Sequence, residues 1–127
     1  MAIMLLGACQ RNRPTGKSPE LDVYSAEVTF EDSIHHFGRL PQREEPYSCS
    51  FSFVNTGKVP VVVLHADPSC RCTSVVYNKK PVPVNGKDSI VILFDSEESG
   101  KGYFGKTVRV RFNSDKIYTL KLDGSVE

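Results

Sequence analysis

Tyr47-Ser48-Cys49-Ser50-Phe51-Ser52-Phe53 alternates apolar or aromatic residues with serine without a fault. Such a period-two run places one side chain set in a core and the other in solvent, which a strand does and a helix cannot. Val108-Arg109-Val110-Arg111-Phe112 repeats the pattern, and Tyr118, Leu120 and Leu122 share one face of a final strand. The runs Val59–Ala66 and Ile90–Phe94 are apolar on both faces and suit central strands. Turn chemistry separates them: Asn55-Thr56-Gly57, Asp67-Pro68, Asn85-Gly86, Gly100 to Gly105 and Asn113-Ser114-Asp115. The pattern predicts seven strands, near 33–38, 46–54, 60–66, 72–78, 88–95, 106–112 and 116–123. No segment carries a helical period. Seven short strands in about 100 residues predict an all-β, immunoglobulin-like sandwich of about seven antiparallel strands.

A chain of 127 residues holds one such domain. The formal charge of +1 provides no field for nucleic acid, and charges are interspersed rather than blocked. No stretch approaches the length of a membrane-spanning helix.

The N-terminus reads differently. Residues 2–8, Ala-Ile-Met-Leu-Leu-Gly-Ala, are apolar and stop at Cys9; the following stretch is polar and basic, with Pro14 and Pro19. Leu6-Gly7-Ala8-Cys9 resembles a bacterial lipobox, in which the cysteine thiol takes a diacylglycerol and becomes the first residue of the mature protein. Each buried methylene contributes about 0.8 kcal/mol, so two or three acyl chains hold a protein firmly to a bilayer. The expected organisation is therefore a lipoprotein signal remnant over 1–8, a flexible tether over 9–26 and the sandwich over 27–127. Gln10 is not the aspartate associated with inner-membrane retention. The expected location is the cell envelope, at the outer membrane facing the periplasm.

Gly100-Lys101-Gly102-Tyr103-Phe104-Gly105-Lys106-Thr107 fits the phosphate-loop pattern G-x-x-x-x-G-K-[ST] at every position. That motif needs a strand before it and a helix N-terminus after it. Here five residues separate Phe94 from the first glycine, and a strand pattern follows Thr107. The match is rejected in favour of a glycine-rich hairpin connection, and no nucleotide ligand is expected.

Several residues together resemble the bacterial immunoglobulin-like family known as domain of unknown function 1573. They are Phe37-Gly38, Phe51-Ser52-Phe53-Val54-Asn55-Thr56-Gly57, Ser69-Cys70-Arg71-Cys72-Thr73, the Pro83…Gly86 turn, Gly102…Phe104 and Leu122-Asp123-Gly124. The resemblance spans about residues 28–124. It implies a secreted or envelope-anchored domain, often a lipoprotein, with no assigned catalysis. The family usually places glycine between the paired cysteines, where this chain has Arg71.

Cys70 and Cys72 are the candidate site. In an extended strand, side chains two residues apart lie about 6.5 Å from each other. A disulfide needs Cβ atoms near 4 Å, so only a bend closes one here. Arginine disfavours the positive φ that glycine permits. The pair is therefore expected as packed or loosely paired thiols, with a local disulfide, thiol chemistry and a soft-metal site with His65 as the other readings. His35 and His36 join such a site only if the first strand approaches it. Cys49, alternating with Phe51 and Phe53, reads as a buried, inert thiol. Asp95, Glu97 and Glu98 read as a solvated loop.

The sequence thus predicts a non-enzymatic binding module, without a cofactor, that recognises an envelope protein or glycan through loops or an edge strand. The alternative is a small thiol-redox or soft-metal-handling protein built on Cys70 and Cys72.

Overall fold

In the computed structural model, residues 26–127 are described. The strands are β1 (Val28–Phe30), β2 (Ile34–Leu40), β3 (Tyr47–Asn55), β4 (Val63–Pro68), β5 (Thr73–Tyr77), β6 (Lys87–Phe94), β7 (Gly102–Phe112) and β8 (Ile117–Val126). A single helical turn, α1 (Ser96–Ser99), joins β6 to β7. The strands form two four-stranded sheets, in the orders β1-β3-β6-β5 and β2-β8-β7-β4. Phe51, Phe53, Ile90, Ile92 and Phe94 from the first sheet are buried, as are Val108, Val110, Phe112, Leu120 and Leu122 from the second. The period-two residues of both sheets therefore meet in one core, as a sandwich requires.

The run Val59–Ala66, expected as a central strand, instead leads into β4 at the edge of the second sheet, with Leu64 57% exposed. Three further features depart from the expected seven antiparallel strands. β1 is an added strand of only three residues, too short to leave an alternating signature, and it pairs with the end of β3. β2 runs parallel to β8, while every other strand pair is antiparallel. The chain moves from one sheet to the other between Phe30 and Ile34, so β2 enters the second sheet in the direction of β8. Finally, Gly102 to Gly105 form no hairpin connection. They are the start of β7, paired with β8 from Gly102↔Val126 onward, and only Gly100 and Lys101 lie between α1 and the strand. Phe104 explains the difference: it is buried, stacked on Phe94 with ring centroids 4.1 Å apart. One anchored aromatic holds this glycine-rich segment in the sheet. Lys106 consequently sits inside a strand, with no loop of backbone N–H groups around it.

Asp95, Glu97 and Glu98 belong to α1 and its cap. The Asp95 carboxylate accepts the backbone N–H groups of Glu97 and Glu98 at 3.0 and 3.2 Å. Ser96 is fully buried and ties the 41–46 loop to this turn: its Oγ accepts the Arg43 N–H at 2.9 Å and donates to the Arg43 carbonyl at 3.1 Å.

Candidate functional site: the crossover and free edge of beta5

The chain crosses from the second sheet to the first between Pro68 and Thr73, and the cysteine pair occupies that crossover. Ser69 extends the β4–β7 ladder, donating its N–H to Thr107 O at 2.9 Å and accepting the Thr107 N–H on its Oγ at 3.0 Å. The chain then turns over Cys70 to Thr73. The Cys70 carbonyl accepts both the N–H and the hydroxyl of Thr73, at 3.2 and 3.0 Å, and the Cys72 N–H donates to Cys70 Sγ at 3.1 Å.

Within this turn Cys70 and Cys72 form a disulfide, with Cα atoms 5.1 Å apart. The extended, thiol-bearing segment expected from the sequence is thus corrected. Among the described residues the only non-glycine with positive φ is Asn85, so Arg71 bends within its ordinary conformations. The closure comes from the i to i+3 hydrogen bond of the turn rather than from a left-handed central residue. Cys72 is 1% exposed and Cys70 partly buried.

His65 stands apart from the sulfurs. It lies on the solvent side of β4, in a shallow cleft of about 260 Å³ shared with Asp67, Arg109, Arg111 and Ile117. His36 Nδ1 contacts Asp123 Oδ1 at 2.8 Å, and His35 packs edge-on against Phe37. Both lie on β2, at the opposite edge of that sheet from β4. Three strand spacings separate those edges, on the order of 14 Å. Among the described residues no group of three or more His, Cys, Asp or Glu is placed to hold a metal ion. The structure therefore brings Cys70 and Cys72 together but adds no histidine to them. Cys49 is a free buried thiol, and burial pushes its pKa up to about 11. Cys9 lies outside the described residues.

The crossover delivers the chain into β5, which has β6 on one side only. The Asp95 N–H donates to Cys72 O at 2.7 Å, which marks Cys72 and Asp95 as a hydrogen-bonded pair of the β5–β6 ladder. Antiparallel pairs alternate, so Ser74 and Val76 bond to β6 while Val75 and Tyr77 direct their N–H and C=O groups to the free edge. Edge strands of this kind invite a further strand, and proteins usually blunt them. Here β1 is only three residues long. β2 is broken by a bulge between His36 and Arg39, with Gly38 at φ +73°. β4 has a bulge between Val63 and His65, an aspartate at 67 and a terminal proline at 68. β5, Thr-Ser-Val-Val-Tyr, has no charge, proline or bulge, and Val76 is 54% exposed. The sequence pattern located this strand; that it is an open edge is a property of sheet order, which the pattern does not encode.

The sequence matches the family described as protein of unknown function DUF1573 over residues 28–126. The chain belongs to this family. No curated protein matches the chain. Among solved structures, this DUF1573 domain is similar to a protein of unknown function from Porphyromonas gingivalis W83, at 12% identity and a TM-score of 0.69. That likeness covers 82% of this chain and 48% of the other, so the chain spans about half the length of that protein. The PapD-like domain 7 of human CEP192 matches at 15% identity and a TM-score of 0.61, covering 97% of each chain. The periplasmic chaperone SfaE matches at 7% identity and a TM-score of 0.58, covering 80% of this chain and 58% of its own. At these identities the likeness is one of fold: a PapD-like, immunoglobulin-like sandwich.

Proposed function

We propose that this DUF1573 domain is a non-enzymatic binding module of the bacterial envelope, lipid-anchored through Cys9, that takes up an extended segment of a partner protein along β5. The observation that carries the reading is the contrast among the four edges. Three are shortened, bulged or charged, and one presents a continuous, uncharged ladder with the N–H and C=O groups of Val75 and Tyr77 outward. Strand addition draws its affinity from main-chain hydrogen bonds, which an extended polypeptide supplies at matching spacing. That favours a protein over a glycan. The PapD-like fold fits a binding or chaperone-like module, and SfaE, a periplasmic chaperone, shares that fold. The thiol or soft-metal alternative has less support, since Cys72 is shielded from solvent and His65 lies in a different part of the surface.

Val75→Pro tests the reading. Proline removes one outward N–H while leaving the bonds of Ser74 and Val76 to β6 in place, and sheets accept it where the N–H faces solvent. The expected result is a variant with a native far-ultraviolet spectrum and cooperative melt that no longer retains the protein partner captured by the wild-type chain from envelope extract. Undiminished capture by the folded variant overturns β5 as the binding edge.

A further inference from the structure

The flanks of β5 describe what the strand would receive. From Pro68 to Lys87 the chain runs twenty residues without a carboxylate, and it carries Arg71, Lys79, Lys80 and Lys87. Arg71 lies two residues before the start of β5, Lys79 and Lys80 follow its end by two and three residues, and all three are exposed. Among the described residues the ion pairs are His36–Asp123, Arg39–Glu127 and Lys116–Glu27, so none of these three cations is neutralised by one. The nearest carboxylates in the ladder have other partners. Asp95, opposite Cys72, caps α1, and Asp88, opposite the position of Lys79, accepts the Ser89 N–H at 2.8 Å.

We infer that the segment added to β5 is an acidic peptide: a short β-forming apolar core with aspartate or glutamate at both ends. The inference rests on β5 being the binding edge and adds the partner's chemistry. Each end of the strand offers cations to the ends of an incoming strand, in either direction of pairing. The same charges disfavour a second copy of this chain as the occupant. Two β5 strands paired antiparallel about Val75 set Arg71 of each copy across from Lys79 of the other, and like charges directly opposite oppose pairing. A polyanion without a polypeptide backbone would meet the cations but leave the outward groups of Val75 and Tyr77 unpaired.

The test uses the full chain and three fluorescent peptides sharing a Val-Thr-Val-Thr-Val core, flanked on both sides by Asp-Glu, by Asn-Gln or by Lys-Lys. The acidic peptide is expected to bind roughly tenfold more tightly than its amide counterpart, since several surface ion pairs of modest strength add to about that factor. The gap should collapse in about 1 M salt, where the screening length is roughly 3 Å. Binding should slow amide exchange at Val75 and Tyr77. The triple variant Arg71→Glu, Lys79→Glu, Lys80→Glu should reverse the order and favour the lysine-flanked peptide. Equal binding of acidic and amide peptides, with Val75 and Tyr77 protected, overturns the acidic partner and leaves the edge reading standing. Absence of protection at both amides with every peptide overturns the two together.

Discussion

Gly124 is where a single residue decides whether two strands can meet. A Cβ there would lie 2.7 Å from the Gly38 carbonyl and 2.9 Å from Phe104 Cζ. Gly38 is itself in the left-handed region, inside the β2 bulge. Two separated parts of the family pattern, Phe37-Gly38 and Leu122-Asp123-Gly124, are thus the two sides of one close backbone approach. Gly124→Ala is expected to destabilise the fold by about 1–3 kcal/mol, the usual cost of overpacking, read as a lower midpoint in urea. Asn55 works similarly for the Asn-Thr-Gly motif. Fully buried, its Nδ2 donates to Val59 O and Val82 O, and its Oδ1 accepts the Gly57 N–H. These motif residues hold the sandwich together. Cys49 adds a pH dependence. With a folded pKa near 11 against 9.0 for the free thiol, its contribution is fully present below pH 9 and is lost as pH rises toward 11. Stability should therefore fall more steeply between pH 9 and 11 in the wild type than in Cys49→Val, as equilibrium unfolding at stepped pH would reveal.

At the scale of elements, the crossover from β4 to β5 combines a turn, a disulfide and the start of a ladder in five residues. A disulfide closing so short a loop restrains the unfolded chain little; loop-closure entropy gives about 1.5 kcal/mol, roughly half the value for a fifteen-residue loop. The i to i+3 bond from Thr73 N–H to Cys70 O and the Asp95 to Cys72 bond hold the backbone independently of the sulfurs. Cys70→Ala with Cys72→Ala should then remain folded, less stable by about 1–2 kcal/mol, and the wild type should resist thiol alkylation at these positions until reduced. A double variant that fails to fold would show that the disulfide, and not the turn, sets the crossover. The elements were legible in the sequence where their side chains alternate or form a short apolar run bounded by turns. β3, β6 and the core of β7 follow directly from Phe51-Ser52-Phe53, Ile90–Phe94 and Val108–Phe112. β1 is too short to alternate, and the glycines at 102 and 105 give no facial signal. The sequence located the cysteine pair but not its state, because the φ preference of Arg71 does not decide it: a hydrogen-bonded turn closes the ring. The open edge at β5 was not legible at all, since edge or centre depends on which strands pair.

Over the whole molecule, the proposed anchor and the folded unit divide along the chain. The family match runs from residue 28 to 126, and the described core is assembled from Ala26 onward, with Ala26 and Val28 its first buried residues. The lipobox resemblance ends at Cys9, and seventeen residues of covalent chain from there to Ala26 can span at most about 60 Å. Under the proposed function such a reach would serve the module, because β5 lies at one side of the sandwich and would turn toward a partner while a lipid on Cys9 stayed in the bilayer. Acyl chains on Cys9, as proposed, would contribute to membrane affinity through their methylenes rather than to the described core. Cys9→Ser, expressed with its native start in a bacterial host, should leave the membrane fraction for the soluble one, while its melting midpoint matches that of the detergent-extracted wild type within a degree or so. Mass spectrometry of the wild type should find a diacylglyceryl modification on an N-terminal Cys9, with residues 1–8 removed. An unmodified Cys9 still carrying residues 1–8 sinks the lipid anchor. A large loss of stability in Cys9→Ser would show that the N-terminal segment belongs to the folded unit, and the division of the chain into anchor, tether and sandwich would be wrong.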